Sequence, residues 1–198
     1  FAFKIGYEFF LNFGISGYKA IKKENANIFL DLKLHDIPNT VANGIKAISK
    51  LEPYFTTIHL SGGDEMQKTS SYFKINTKIL GVSILTSLDS KQTKKYYNNN
   101  VEEIVSNFAK NALINKLDGI VCSPKEITIV KKITQNKLII VTPGIRPINY
   151  EDSKDDQKRV MSPKDAIDAG ANYLVMGRPI TQSSNPLKSL QSINSSLE

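Results

Sequence analysis

The chain has 198 residues, 40% of them hydrophobic and 23% charged, which fits one domain with a substantial core. No apolar run approaches the roughly 20 residues that cross a bilayer, the first seven residues lack a secretory-leader pattern, and a lone cysteine excludes an intrachain disulfide. A formal charge of +7 suits an anionic partner without choosing between nucleic acid and a phosphorylated metabolite.

Phe3-Lys4-Ile5 reads as the end of a strand, and residues 8–24 as a helix weakened by Gly14 and Gly17. Residues 27–33 form a strand. Residues 38–51 form a helix, with Pro38 suited to its first turn. The β-branched residues 54–60 are a strand, 63–72 a short helix and 78–85 a strand. Residues 87–100 are polar and read as irregular. A helix over 101–114, a strand over 118–122 and a helix over 124–134 follow. Cys122, in the apolar run Gly119-Ile120-Val121-Cys122, reads as a buried small hydrophobe, compatible with a reducing cytosol. Residues 138–142 are a strand, 163–169 a helix, 173–176 a strand and 185–197 a closing helix. Residues 143–162 are long for a connection and have the character of a functional lid.

Strands alternating with helices imply parallel strands joined by crossovers, and most of these strands are apolar on both faces. Seven strands with a ragged start point to an α/β fold of the TIM type, a (β/α)8 barrel whose first strand is absent from this chain. An open doubly wound sheet is the alternative. Residues 1–198 contain no repeat and no linker, so they read as a single domain, N-terminally incomplete because the chain opens at Phe1 without Met.

Chemistry concentrates in three places. In Leu30-Asp31-Leu32-Lys33-Leu34-His35-Asp36, Asp31 and Lys33 are two residues apart and share one strand face, while the leucines point the other way. A carboxylate and an ammonium inside an apolar strand must be paired, either as a structural salt bridge or as a catalytic pair at the C-terminal strand end of a barrel. Lys4 repeats the pattern. Asp36 lies just past the strand, before Pro38, where a helix N-cap is the bland alternative. At the other end, Gly177-Arg178-Pro179 follows the last strand. Glycine lets a ligand approach the backbone, and Arg178 can fork onto phosphate. Arg146 and Gln157, in the long connection, could reach the same anion, or be no more than exposed loop residues. Thr86, in Leu85-Thr86-Ser87, can hydrogen-bond a heterocycle or serve as a turn hydroxyl. His35 and His59 read as structural hydrogen-bonders; 24 residues apart and with one cysteine in the chain, they give no zinc spacing.

Asp31-Leu32-Lys33-Leu34-His35-Asp36-Ile37-Pro38-Asn39-Thr40 resembles the signature of the orotidine 5′-phosphate decarboxylases, closest to their bacterial branch. Lys4-Ile5-Gly6-Tyr7-Glu8, Leu85-Thr86-Ser87, Thr142-Pro143-Gly144-Ile145-Arg146-Pro147, Asp156-Gln157-Lys158-Arg159 and Met176-Gly177-Arg178-Pro179 resemble its other blocks, in order. The resemblance implies a cytoplasmic carboxy-lyase that converts orotidine 5′-monophosphate to UMP, the last step of de novo pyrimidine synthesis, with no metal or organic cofactor. It implies that Lys33 protonates C6, that Asp31 sits beside the departing carboxylate, and that Lys4 pairs with Asp31 and contacts the ribose. It further implies that Asp36 and Thr40 are shared across a homodimer interface, that Thr86 contacts the pyrimidine, and that Arg146, Gln157, Gly177 and Arg178 grip the phosphate. The family's first strand carries a ribose-contacting aspartate, which is expected to be missing here together with that strand.

Two other readings compete. One is a Mg²⁺-dependent decarboxylase or aldolase acting on a sugar phosphate, against which the uninterrupted ten-residue signature and the Thr86 block argue. The other is a non-catalytic phosphate or nucleic-acid binder, suggested by the charge and by Lys94-Lys95-Tyr96-Tyr97. Dispersed basic residues and the lack of a nucleic-acid motif argue against that one.

Overall fold

The structure is a computed structural model that describes residues 1–147, 150 and 160–197. Two compact units emerge, one formed by Phe1–Val82 with Asn111–Gly119, the other by Ser83–Lys110 with the residues from Ile120 onward. Gln157 and most of the expected lid lie outside the described residues.

The first unit alternates strand and helix throughout: β1 (Ala2–Ile5), α1 (Tyr7–Lys22), β2 (Asn27–Leu34), α2 (Pro38–Ser49), β3 (Phe55–His59), α3 (Asp64–Phe73) and β4 (Lys78–Val82). Each strand pairs in parallel with the next. Helix α1 is interrupted at Gly14, whose φ of 56° and ψ of −151° leave the helical region, a conformation that costs glycine little. Gly17 is needed for a different reason, since a Cβ there would lie 2.4 Å from Phe13 Cβ.

One face of β2 supplies the apolar core. Leu30 packs with Ile5, Tyr18, Ile28 and Ile48, and Leu32 and Leu34 lean against the same cluster. The Tyr18 hydroxyl reaches the Leu51 carbonyl at 3.0 Å, so this large side chain is buried without stranding its polar end. With the leucines committed to that side, strand alternation sends Asp31 to the other.

The second unit contains α4 (Ser90–Tyr97), most of α5 (Val101–Ile114), most of β5 (Gly119–Val121), α6 (Ile127–Thr134), β6 (Ile139–Thr142), α7 (Pro163–Ala169), β7 (Tyr173–Leu174), α8 (Arg178–Thr181) and α9 (Pro186–Ser195). Its strands also neighbour one another in chain order. Neither unit shows the reversal of strand order that marks a doubly wound sheet. Cys122 is buried, as its apolar run suggests.

Within the stretch over 87–100, Ser90–Tyr97 is helical rather than irregular. Asp89 and Gln92 form a reciprocal capping box, and Asn98 closes α4 in the left-handed region. Residues 124–134 begin as a 3-10 turn (Pro124–Glu126) before α6, with Glu126 reaching back to the Ser123 amide. Helix α8, directly after Gly177, is a further element that the residue pattern did not announce.

Candidate active site

Three charged residues of the first unit, Lys4, Asp31 and Lys33, meet at one carboxylate. Lys33 Nζ lies 2.8 Å and Lys4 Nζ 3.2 Å from the same oxygen of Asp31, Oδ2. The other oxygen, Oδ1, accepts a hydrogen bond from the Thr57 hydroxyl at 2.9 Å. Lys4 is on β1 and pairs with Phe29 of β2, two residues before Asp31, so the parallel pairing puts the Lys4 and Asp31 side chains on one face. The Asp31 side chain is 9% exposed and those of Lys4 and Lys33 are 37% and 27% exposed. The carboxylate is thus the buried hub and the ammoniums are its wetter arms.

Burial pushes the Asp31 carboxyl up. The Lys33 and Lys4 charges, with hydrogen bonds from Lys33 and Thr57, more than offset that and hold it below its ordinary value. Asp31 therefore stays ionised near neutral pH. Two ammoniums against one carboxylate leave the trio with one positive charge in excess, an arrangement that favours an anion placed against it. Among the described residues the hydrogen-bond partner of the Lys33 ammonium is Asp31, which leaves two of its three N–H donors for a ligand.

Lys33 also has an uncommon backbone. Its φ is 45°, in the left-handed region that non-glycine residues seldom enter, and the β2–β3 register slips between Leu30 and Leu34. Bulges of this kind re-aim side chains and are common beside active sites. Its amide donates to Thr57 Oγ1 at 2.8 Å. The Tyr7 hydroxyl donates to the Leu32 carbonyl at 2.9 Å, and the Tyr7 ring lies 5.8 Å from the Lys33 ammonium. Neither Thr57 nor Tyr7 stands out as functional in the sequence.

Beyond the strand, His35 and His59 stack loosely, with ring centroids 5.2 Å apart. Burial, then the neighbouring His35 and Lys33 charges, hold the His59 imidazole below its ordinary value, with Asp31 opposing. Asp36 is exposed, and its Oδ1 accepts from the Ile37 amide at 2.6 Å. The N-cap position of α2 is Ile37, without a side-chain cap, so Asp36 does not serve as that cap. Thr40, in the first turn of α2, is exposed.

The remaining expected residues belong to the second unit. Thr86 is half-buried in the connection before α4. Arg146 sits where the long connection is pinned at its base. Its amide donates to the Met161 carbonyl at 3.0 Å, and the Met161 amide donates to the Gly144 carbonyl at 3.2 Å. The Arg146 guanidinium lies 5.6 Å from the Tyr150 ring centre. Gly177 is exposed, and a Cβ built there would meet nothing within 4 Å, so its backbone is open to close approach. Arg178 follows it as the first residue of α8. Among the described residues, no three His, Cys, Asp or Glu side chains gather as a metal site.

An alternating βα chain of parallel strands is the pattern of an α/β-barrel protein, and the carboxylate and its ammoniums lie in the C-terminal half of β2 and on its neighbour β1. Residues 1–193 match the family model described as orotidine 5′-phosphate decarboxylase / HUMPS family. The chain is 46% identical to the orotidine 5′-phosphate decarboxylase of Ehrlichia chaffeensis, over 96% of this chain and 83% of that one. It is 42% identical to that of Coxiella burnetii, over 98% and 85%. Among solved structures, the orotidine 5′-phosphate decarboxylase of Lactobacillus acidophilus superposes with a TM-score of 0.84 at 35% identity, covering 98% of this chain and 86% of that one. The chain belongs to the orotidine 5′-phosphate decarboxylase / HUMPS family. Its fold is that family's TIM-type barrel fold, not a doubly wound sheet.

Proposed function

We propose that the Lys4–Asp31–Lys33 cluster is the decarboxylating centre of this chain, with Lys33 as the acid that protonates C6. The activity it serves is decarboxylation of orotidine 5′-monophosphate to UMP in pyrimidine biosynthesis, a carboxy-lyase reaction. The single observation that carries the assignment is the convergence of both ammoniums on Asp31 Oδ2.

The chemistry follows from that geometry. Breaking the C6–CO₂ bond leaves its electron pair on C6 as a carbanion with little delocalisation. An ammonium already fixed beside that carbon stabilises the developing charge without reorganising, and it holds the proton that quenches it. Lys33 gives that proton to C6 and is recharged from water. Asp31 orients both lysines. Lying beside the substrate carboxylate, it also favours loss of that group as neutral CO₂. Every step uses side chains, so the proposed reaction draws on no cofactor.

The phosphate end of the substrate is assigned to Arg146, Gln157, Gly177 and Arg178, and the pyrimidine to Thr86. A planar guanidinium suits bidentate phosphate contact, and the open backbone at Gly177 suits close approach. Binding energy gained at the phosphate is then available to hold C6 in place, so a substrate without phosphate loses rate as well as affinity. The working unit is a single barrel domain acting as a cytoplasmic homodimer, in which exposed Asp36 and Thr40 reach the partner's substrate.

The test pairs two variants. Lys33→Ala is expected to abolish UMP formation while still binding UMP, and near-normal turnover would refute the assignment of Lys33. Arg178→Ala is expected to weaken binding of UMP far more than binding of uridine. Equal weakening of both would remove Arg178 from the phosphate contact. Turnover of the parent is expected to be insensitive to a chelator, which separates it from a Mg²⁺-dependent sugar-phosphate reaction.

A further inference from the structure

The bulge in β2 leaves three residues facing one. Between the register pairs Leu30↔Thr56 and Leu34↔Ile58, β2 contains Asp31, Leu32 and Lys33, while β3 contains only Thr57. In a regular ladder the Lys33 amide would be satisfied by a carbonyl of a neighbouring strand. Here it donates instead to the Thr57 hydroxyl oxygen, at 2.8 Å. That same hydroxyl gives its one proton to Asp31 Oδ1, at 2.9 Å. A threonine hydroxyl has one donor and two acceptor sites, so Thr57 joins the backbone of one charged residue to the side chain of the other. Thr57 is 0% exposed, so water cannot take its place without displacing packed atoms.

The strain at Lys33 makes this bond consequential. A non-glycine residue keeps a φ of 45° only where its surroundings over-determine it. The Thr57 bond to the Lys33 amide acts directly on that peptide. On the far side of the bulge, the Tyr7 hydroxyl holds the Leu32 carbonyl. Together they fix where the Lys33 side chain leaves the strand, and hence where its ammonium sits relative to Asp31.

We infer that Thr57 is a positioning residue for the decarboxylation: its hydroxyl sets the Lys33 backbone and the Asp31 carboxylate in register with each other. This rests on the assignment of Asp31 and Lys33 to the chemistry. Thr57 touches neither reacting atom in that scheme. It acts through its two neighbours, so its loss slows the chemical step more than it weakens binding.

Thr57→Val keeps the shape and removes both bonds; Thr57→Ser keeps the hydroxyl. The valine variant is expected to lose kcat on the order of 100-fold, the effect of a small misplacement of a reacting group, with KM changed by less than about threefold. The acid limb of its kcat/KM profile should move to higher pH, because one of the bonds that keeps Asp31 ionised is gone. The serine variant should restore both the rate and the limb. A valine variant within about threefold of parental kcat, or a serine variant as impaired as valine, would overturn the inference. Far-UV circular dichroism and UMP binding confirm that the proteins compared are folded. If valine at this site does not fold, Thr57→Cys, a poor donor and acceptor of similar shape, is read against the same outcomes. Lys33→Ala measured alongside separates the two claims. An active Lys33→Ala enzyme removes the underlying assignment, whereas an inactive one beside a fully active Thr57→Val enzyme removes only the role of Thr57.

Discussion

The hydroxyl of Tyr7, first residue of α1, donates to the carbonyl of Leu32 in the bulge of β2 over 2.9 Å. The bond ties the start of a helix to the peptide that precedes Lys33, and the same ring lies 5.8 Å from the Lys33 ammonium. Tyr7→Phe removes the bond and keeps the ring. A hydrogen bond of this kind contributes about 1 kcal/mol net, and about that much lost from the transition state is roughly a fivefold fall in rate. The expected result is a kcat several-fold lower at nearly unchanged KM, with thermal stability little affected because Tyr7 is 53% exposed. Steady-state kinetics on the purified variant check it. An unchanged kcat would mean that the bulge holds its shape without Tyr7.

Asp31 gives the cluster its acid sensitivity. Its folded-state value lies below the ordinary 3.8, so the unfolded chain binds the proton more readily. The stability that Asp31 contributes is therefore fully present above about pH 4 and lost as pH falls through the lower folded value. Asp31→Asn removes that contribution and leaves two ammoniums facing each other without a counter-charge. The variant is expected to be inactive and less stable at pH 7. Its stability should decline less steeply than the parent's between about pH 4 and pH 2. Urea melts across that range, read by circular dichroism, make the comparison.

How much of this was legible in the residues depends on which interaction fixed each element. Helices over 101–114 and 163–169 follow from local periodicity and from Pro163, and their bounds agree with α5 and α7. Asp31 and Lys33 are legible as a pair because a strand has period two and the leucines between them demand the core. Lys4 becomes legible only beside them. The bulge is not legible, because a register slip is decided between two strands and leaves no trace in either one alone. Thr57 is hidden for the same reason: in Phe55-Thr56-Thr57-Ile58 it reads as ordinary β-branched strand. Helix α4 was legible from its capping pair, Asp89 and Gln92, yet Lys94-Lys95-Tyr96-Tyr97 and the asparagines after it mask the apolar period. Asp36 reads as a cap by position, but its side chain turns to the next amide instead.

His59 is expected to give the protein a second pH dependence, at higher pH than that of Asp31. Burial and the nearby His35 and Lys33 charges keep its imidazole below the ordinary 6.5 in the folded state, against a smaller opposing pull from Asp31. In the window just below 6.5 the unfolded chain binds the proton and the folded one resists it. Stability is thus fully present above about pH 6.5 and falls as pH drops through the folded-state value. His59→Gln should flatten this part of the profile without altering the acid loss assigned to Asp31. Chemical denaturation at pH 5, 6 and 7.5 tests it; a parent profile that is flat across that window would show that His59 protonates freely in the fold.

The core of the first unit allows a packing test away from the charges. Gly81 lies on β4, paired with Ile58 of β3. A Cβ built on it would lie 2.4 Å from Leu60 Cδ2, 2.7 Å from Leu60 Cγ and 3.0 Å from Leu117 Cδ1. Leu60 and Leu117 are themselves buried, so neither side chain can swing into solvent to make room. Gly81→Ala therefore overpacks the site, at a cost of about 1–3 kcal/mol. For a chain of this size that corresponds to a fall in Tm of roughly 2–12 °C. The sign separates this from the entropic gain that alanine gives at an unhindered glycine, about 0.4–1 kcal/mol in the opposite direction. Leu60→Val in the Gly81→Ala background should recover part of the loss, although Leu60→Val alone is destabilising. Calorimetry on the two single variants and the double variant reads that coupling directly, and strictly additive losses would mean that the strand shifts as a whole rather than that Leu60 resists.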